Sequence, residues 1–348
     1  APRYLEDGWI ILPDGPMLLF MHTHTYDSDG VCTACGRKDA ASCEHTGGTH
    51  IGVVSSVANC MNEGKYQVIC DDCWTVVDEI STPIEKDNHK LEWVLVNGEL
   101  VCKCVNQNEK GETCDYVART YTDSASEVYV SDEGFRAGGF SAESPINDYY
   151  KALELAQLAA QRDGKSTATV YVVGQVTVPM SAKGTFLEPA HADVEITVKG
   201  YGDGEAAFVF GDESSETRLE YGLNGDTVFD NLEIGGKTTG QLYFSARHNH
   251  LTMGQKISMD FRRNKSGELH SGAVTVLGGC YSSNFGACSG KNAHLTLGSG
   301  TYRNVITGSA NRSCGLTNGK CTLEITGSIL SREGIFAGSS GGNAGDID

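Results

Sequence analysis

Cysteine and histidine are unevenly distributed along this chain, and their distribution constrains the fold more than any other feature. Nine of the 13 cysteines lie between Cys32 and Cys114, and the other four lie between Cys280 and Cys321. Five of the ten histidines lie between His22 and His89, in the same region as the first cysteine group. A uniform scatter would not produce this segregation, so the first third of the chain is expected to be stabilised through these side chains.

In sequence order the region divides into three sets, each a histidine followed by three cysteines. Zinc takes four tetrahedral ligands, and three thiolates with one imidazole are a common structural set. An ion with four protein ligands has no open position for water, so the predicted role is structural and not catalytic. The predicted sets are His24 with Cys32, Cys35 and Cys43; His50 with Cys60, Cys70 and Cys73; and His89 with Cys102, Cys104 and Cys114.

Several alternatives remain open for these sets. His22 and His45 are additional candidate ligands, since His45 can replace Cys43 or His24, and His89 can complete the second set instead of the third. Disulfides are the alternative to zinc, because small secreted modules are often cross-linked. Nine is an odd number of cysteines, however, and disulfides give no reason for a histidine at the head of each set. We expect two to three structural zinc ions, with disulfides as the alternative mainly for the third set.

The remainder of the chain, residues 122–348, has the pattern of a β-rich second domain after a Cys/His-rich region at 1–121. One amphipathic helix is predicted at Pro145–Arg162, with Ser144 as N-cap and Gly164 at its end. After it, short apolar runs recur between Gly, Asn, Ser and Asp turns, and one of them, Thr227–Ile234, is predicted as a single strand.

A repeated phrase indicates how these strands are arranged. Phrases that begin at Val274, Leu295 and Leu323 resemble one another, and each continues into a second segment that ends in glycine. Their starts lie about 20 to 28 residues apart, the interval expected for one coil of a solenoid. The pattern favours a right-handed parallel β-helix whose open end is covered by the helix. A β-sandwich is the alternative, but its strands would not repeat a phrase in register.

The charge balance limits the classes of partner. Asp and Glu number 45 against 27 Lys and Arg, a formal net charge of -18, which argues against nucleic acid because phosphate binding needs a basic face. No run approaches the ~18 consecutive apolar residues of a membrane-spanning helix. Residues Gly341–Asp348 have the pattern of a new turn and strand, so we expect a piece of a longer protein, truncated at its C-terminus and preceded by a removed signal.

The Cys/His region resembles a known kind of repeat. The motif Cys60-Met-Asn-Glu-Gly-Lys-Tyr-Gln-Val-Ile-Cys70-Asp-Asp-Cys73, ending near His89, is similar to the Cys/His (zinc-ribbon-like) repeats of very large surface proteins of gram-positive gut bacteria. His24 to Gly36 resembles another variant of this repeat, and Thr227–Ile234 with the following Leu-Thr-Met-Gly is similar to the β-helix coils that often accompany it. Trp74 departs from the repeat, which usually has glycine there. The resemblance implies extracellular display on a cell surface and provides no catalytic residues.

One stretch offers an enzymatic alternative. Polysaccharide-active β-helix enzymes, lyases or hydrolases, collect carboxylates and basic groups on one outer face. A solvated charged loop explains the same residues more simply. The candidate residues are Asp260, Arg262, Arg263, Glu268 and His270.

Other isolated residues give weaker signals. His191 and His294 are expected at the surface or the edge of the core, and Arg247–His250 as a turn. The four late cysteines either pair locally, as Cys280 with Cys288 and Cys314 with Cys321, or pack as small apolar residues. The predicted solenoid and the lack of an assembled catalytic set indicate a binding or adhesion protein with zinc as its cofactor. The resemblance to bacterial surface proteins implies a host glycan or a host protein, immunoglobulin among them, as the partner.

Overall fold

The computed structural model describes residues 3–5, 9–11, 23–203, 206–211, 218–236, 241–261, 274–281, 292–309 and 321–338. The chain divides into two compact units, of which the first is Ala1–Leu91 with Lys103–Val117 and the second is Glu92–Cys102 with Ala118–Asp348. The described part of the chain is mainly β and contains one helix. That helix is shorter than a membrane crossing requires and is not apolar enough for one.

The first eight strands are short and belong to small sheets. Strands β1 and β2 pair antiparallel, β3, β4 and β5 form an antiparallel sheet with β4 in the centre, and β6, β7 and β8 form a third sheet in that order. Their bounds are β1 Arg3–Leu5, β2 Trp9–Ile11, β3 Thr49–Ser56, β4 Gly64–Cys70, β5 Val76–Thr82, β6 Leu91–Val96, β7 Glu99–Cys104 and β8 Val117–Tyr121.

The later strands are distributed over three sheets in turn. From β10 to β19, each strand pairs in parallel with the strand three places later in the chain. The sheet orders are β24-β22-β19-β16-β13-β10-β9, β11-β14-β17-β20 and β12-β15-β18-β21-β23-β25. The bounds are β9 Glu127–Phe135, α1 Tyr149–Arg162, β10 Thr167–Val172, β11 Gln175–Thr177, β12 Thr185–Leu187, β13 Glu195–Gly200, β14 Ala206–Phe210, β15 Leu219–Gly222, β16 Thr227–Asp230, β17 Leu232–Gly236, β18 Leu242–Ser245, β19 His250–Met253, β20 Ile257–Phe261, β21 Val274–Leu277, β22 Ala293–Leu297, β23 Thr301–Ile306, β24 Cys321–Ile325 and β25 Leu330–Phe336.

The three parallel sheets share one core. Alternate side chains of β10 and β13 are buried, as expected when one face of a strand packs inward. Phe208, Tyr221 and Phe229 come from three different sheets, and their ring centroids lie 5.6 to 6.1 Å apart. Such edge-to-face and tilted ring pairs stabilise a core beyond the area they bury. The parallel arrangement thus joins strands that are distant in sequence around a common aromatic interior.

Helix α1 begins later than the sequence predicts. Its N-cap is Asp148, whose carboxylate accepts the Lys151 backbone N–H at 3.0 Å, and not Ser144. Pro145 is not in the helix because its carbonyl accepts the Phe135 N–H at 2.8 Å, and Ile146 bridges to β9. The predicted C-terminal end of the helix, at Arg162, is confirmed.

At the C-terminus of α1 the backbone forms a Schellman motif. Gly164 has a φ of +63°, the Lys165 N–H donates to the Ala160 carbonyl at 2.9 Å, and the Gly164 N–H donates to Gln161. The buried face of the helix includes Tyr149, whose ring packs edge-to-face on Phe208 at 4.9 Å.

Two strand predictions require correction. Thr227–Ile234 is two strands and not one, because Asn231 has a φ of +50° and turns the chain between β16 and β17. The phrase at Leu295 pairs in register with the phrase at Leu323, as the repeat predicts. The phrase at Val274 does not align with these two phrases. Its strand, β21, belongs to another sheet, where it pairs with β23 and is in line with β25. These two strands contain the second segments of the later phrases.

Candidate metal centres

The structure collects eleven of the thirteen predicted ligands into three groups, all within the first unit. In each group the sulfur and imidazole nitrogen atoms lie within 4.8 Å of one another, so each group can hold a metal ion. The described cysteines form no disulfide bond with one another. The groups are His24, Cys32 and Cys35; Cys43, His45, Cys70 and Cys73; and Cys60, His89, Cys104 and Cys114.

This grouping corrects the one predicted from sequence order. Cys60 precedes the seven-residue strand β4 and Cys70 is its last residue, so about 20 Å of extended chain lies between them. One ion cannot bind both. Cys43 instead reaches Cys70 because the segment that leads into β3 runs beside the end of β4, where Thr49 pairs with Cys70.

Two predicted ligands lie outside the groups. The His50 Nδ1 atom is 2.5 Å from the Asp71 carboxylate, and the His50 ring packs against Trp74. Cys102 is fully buried in the second unit, and burial raises the pKa of its thiol to about 11. His22 lies outside the described residues.

The two Cys-x-x-Cys turns have the same backbone geometry. The Cys32 N–H donates to Arg37 and the Gly36 N–H donates back to Cys32, and the Cys70 turn repeats this pattern with Thr75 and Trp74. Gly36 has a φ of +76° and Trp74 a φ of +63°. Trp74 therefore takes the left-handed conformation that Gly36 takes in the first turn, and the second turn is the same as the first.

In the Cys43 group the sulfur and imidazole nitrogen atoms lie at distances expected of ligands that share one metal ion. The Cys43 and Cys70 sulfurs are 4.0 Å apart, and the Cys73 sulfur is 3.3 Å from His45 Nδ1. Burial opposes ionisation of Cys73, but hydrogen bonds from the Thr75 hydroxyl and N–H lower the pKa of its thiol overall. Cys73 is thus disposed to ionise and to act as a metal ligand.

The Cys60 group has a similar arrangement. The Cys60 and Cys104 sulfurs are 3.5 Å apart, and the Cys114 sulfur is 3.7 Å from His89 Nδ1. Burial raises the pKa of Cys60 to about 11. Burial also opposes ionisation of Cys104, but the Asn106 N–H and neighbouring ligand groups outweigh it and lower the pKa to about 7. The His89 ring stacks on Tyr116 at 3.9 Å, which fixes its orientation.

The His24 group has three ligands among the described residues. The Cys35 sulfur is 3.5 Å from His24 Nδ1, and the His24 ring stacks on Tyr26 at 5.8 Å. Burial raises the pKa of Cys35. Cys43, the predicted fourth ligand, belongs to the neighbouring group.

The enzymatic alternative is mostly outside the described residues. Asp260 lies in β20, and Arg262, Arg263, Glu268 and His270 are not described, nor are Cys288 and Cys314. Cys280 is fully buried. Arg247–His250 includes the predicted turn, since Arg247 and His248 both have positive φ values.

A buried pair of an acid and a histidine was not predicted from the sequence. His191, expected at the surface or the edge of the core, is fully buried, and its Nε2 atom lies 3.0 Å from the buried Glu188 carboxylate. The separation of three residues between an acid and a histidine was the available signal, but nothing in it indicated burial.

An aromatic surface on β9 and β10 was also not predicted from the sequence. Tyr129 and Tyr171 pair directly across these strands and stack at 5.2 Å. Tyr201 packs edge-on against both rings at 5.4 and 5.8 Å, with 46% of its surface exposed. We call these three residues the tyrosine cluster. Its members lie far apart in the sequence, so only the parallel register brings them together.

Comparison of the chain with protein-family models, with curated proteins and with solved structures gave no match.

Proposed function

We propose that this chain is a binding module of an extracellular bacterial surface protein. In this proposal a right-handed parallel β-helix presents a ligand-binding face, and structural zinc stabilises the Cys/His-rich unit. The tyrosine cluster is the observation that carries the binding role. The resemblance to modular surface proteins of gram-positive gut bacteria supports the extracellular location.

The strand pairing supports a β-helix. Strands that pair three places apart, in three sheets around one core, are expected when each turn of chain contributes one strand to each sheet. Parallel crossovers are right-handed in about 98% of cases, which favours the right-handed form. Helix α1 packs on β9 and β10, the first strands of the largest sheet, as expected of a cap on an otherwise open end.

The ligand distances support zinc. With Zn–S bonds of about 2.3 Å and Zn–N bonds of about 2.05 Å, a tetrahedral ion separates two sulfurs by about 3.8 Å and a sulfur from a nitrogen by about 3.6 Å. The two complete groups have sulfur separations of 4.0 and 3.5 Å and sulfur–nitrogen separations of 3.3 and 3.7 Å. Thiolate and imidazole together are the donors that zinc prefers.

The tyrosine cluster supports a ligand with both apolar and hydroxyl surfaces. Glu127 accepts hydrogen bonds from the Tyr129 and Tyr171 hydroxyls, at 3.2 and 3.5 Å. Burial and the nearby Glu127 charge raise the pKa of Tyr129 to about 12, so the phenol stays neutral. Tyrosine is enriched at binding surfaces because its ring is apolar and its tip is polar. A sugar ring matches this surface with C–H faces and hydroxyl edges, so a host glycan is the favoured partner over a host protein.

An array of host glycans and host proteins tests the binding role. We expect glycan binding by the zinc-loaded chain that Tyr171→Ala and Tyr201→Ala each weaken by about tenfold, or about 1.4 kcal/mol. Phe135→Ala is the matched control, because Phe135 is an exposed aromatic residue of the same strand as Tyr129 but outside the cluster. Equal binding by all variants would contradict the assignment, and release of new reducing ends from the glycan would favour the enzymatic alternative.

Elemental analysis tests the metal. Protein purified without added zinc is expected to contain two to three zinc equivalents, and Cys70→Ser and Cys104→Ser are each expected to remove one. Cys102→Ser is the control, because Cys102 lies outside the three groups. Fully oxidised cysteines without zinc would refute this part of the proposal.

A further inference from the structure

Two histidines lie side by side on the outer side of the seven-stranded sheet. His250 in β19 and His294 in β22 occupy equivalent positions in parallel register. Their neighbours Leu251 and Leu295 are buried, so the histidines belong to the alternate face of each strand. His250 is exposed and His294 half-buried, which leaves both rings accessible from solvent.

The separation of the two rings fits a shared metal ion. Their centroids lie 5.0 Å apart, with 49° between the ring planes. A metal–nitrogen bond of about 2.05 Å places the ion about 3.2 Å from each imidazole centroid, so two rings on one ion lie about 4.5 to 5.2 Å apart for bond angles between 90° and 110°. The observed separation is within this range, and the backbone register holds it.

The hydrogen bonds of His294 leave its outer nitrogen suited to a metal. His294 Nδ1 contacts the Thr322 hydroxyl, which is also 3.5 Å from the Ala293 carbonyl. When the Thr322 hydroxyl donates to the Ala293 carbonyl, its oxygen accepts a hydrogen bond from the Nδ1–H of His294. The lone pair of the His294 ring is then on Nε2. Metal-binding histidines commonly have their second ring nitrogen oriented by such a partner.

Carboxylates flank the histidine pair on both sides. Glu324 in β24 places Oε2 at 3.8 Å from His294 Nε2, and its side chain is 61% exposed. In a tetrahedral site, a nitrogen ligand and an oxygen ligand lie about 3.4 Å apart. This is shorter than the observed 3.8 Å, and the long, exposed Glu324 side chain can move by that amount. On the other side, Asp226 accepts the His250 backbone N–H at 2.8 Å. The site thus combines two imidazoles with nearby negative charge.

We infer that His250 and His294 form a two-imidazole surface site for a first-row divalent transition-metal ion, with the Glu324 carboxylate beside His294. Imidazole with carboxylate suits zinc, copper and nickel, whereas calcium and magnesium prefer oxygen ligands alone. This site is independent of the thiolate groups of the first unit and of the tyrosine cluster, since it uses other residues and another donor set.

Zinc titration followed by histidine NMR tests the inference. The protein is first saturated at its thiolate groups, and Zn²⁺ is then added while imidazole ¹⁵N resonances are recorded. One further equivalent is expected to shift the ring nitrogens of both His250 and His294. His250→Asn and His294→Asn are each expected to abolish this equivalent, and Thr322→Val to weaken binding by about 10–100-fold through loss of the orienting hydroxyl.

Thr252→Val is the matched control, because Thr252 lies on the same face of β19 but is not a ligand. Retention of the further equivalent in His294→Asn would overturn the inference, as would a shift of one histidine alone. The thiolate-bound zinc content is measured on the same samples, so failure of the first unit to bind zinc is distinguished from failure of this site.

Discussion

Replacement of the buried Glu188 by glutamine should destabilise the second unit by about 3 kcal/mol at pH 6. The Glu188 carboxylate accepts hydrogen bonds from the Tyr221 hydroxyl at 2.7 Å and from the Asn224 N–H at 3.1 Å, and it contacts the Thr227 hydroxyl. Its Oε2 atom is also 3.0 Å from His191 Nε2, with both side chains fully buried.

The size of this destabilisation follows from the hydrogen bonds that glutamine cannot form at position 188. An amide nitrogen in place of Oε2 cannot accept from Asn224, and an unsatisfied buried N–H costs about 1–3 kcal/mol. The charge-assisted bond with His191 contributes about 1.5–3 kcal/mol more. Partial rearrangement of a neutral imidazole recovers some of this, which leaves about 3 kcal/mol, at the lower end of the range for removing one partner of a buried pair.

The Glu188–His191 pair also makes the stability of the fold depend on pH, in a direction that can be worked out. His191 Nδ1 faces the Val194 carbonyl at 2.9 Å and must carry a proton, so a hydrogen bond from Nε2 to the Glu188 carboxylate requires the charged ring. Burial opposes that charge, but Glu188 outweighs burial and raises the pKa of His191. A raised folded-state pKa stabilises the fold fully below the unfolded value of about 6.5, and this contribution is lost as pH rises through the folded value. Glu188→Gln should remove this decline.

Urea unfolding followed by circular dichroism at pH 6 and pH 9, in zinc-saturated protein, measures both effects. Glu195→Gln is the control, because Glu195 is exposed at the start of β13 and loses the same charge without a buried partner. Its free energy of unfolding should stay within about 0.5 kcal/mol of the parent. The reasoning is refuted if Glu188→Gln behaves like this control, or if its stability declines with pH as steeply as the parent's.

Three further outcomes are expected. A chelator should unfold the first unit, measured as lost amide-exchange protection in β4, while β13 stays protected, because structural metal binding is coupled to folding. Gly164→Ala should lower the free energy of unfolding by about 1 kcal/mol in urea titrations, since its φ of +63° is unfavourable for a residue with a Cβ atom. Trp74→Gly should retain zinc at the Cys70 group in elemental analysis, since glycine readily takes the positive φ of Trp74.

Local patterns predict much of this structure, and long-range geometry accounts for what they miss. Alternating Val, Ile and Phe mark most strands of the second unit, and Gly164 marks the end of α1. Ser144 and Pro145 form a good helix start by themselves, but tertiary bonds to β9 hold Pro145 outside the helix and Asp148 caps it instead.

The metal groups show the same limit. Sequence order predicts the eleven residues that gather into the three groups but not their partition, because strand β4 separates Cys60 from Cys70 while pairing with β3 brings Cys43 close. The tyrosine cluster and the His250–His294 pair arise from register between strands one repeat or more apart. No local pattern contains that register.

The partition of the ligands has a consequence for how the first unit comes apart. Ions at the Cys43 and Cys60 groups would cross-link the chain from residue 43 to 73 and from residue 60 to 114, so the two closed loops overlap along the sequence. Each loop lowers the entropy of the unfolded chain, and overlapping loops restrict the same segment twice. Loss of one ion would leave the segment between residues 60 and 73 still tethered by the other. The unit would therefore not come apart through the loss of a single ion.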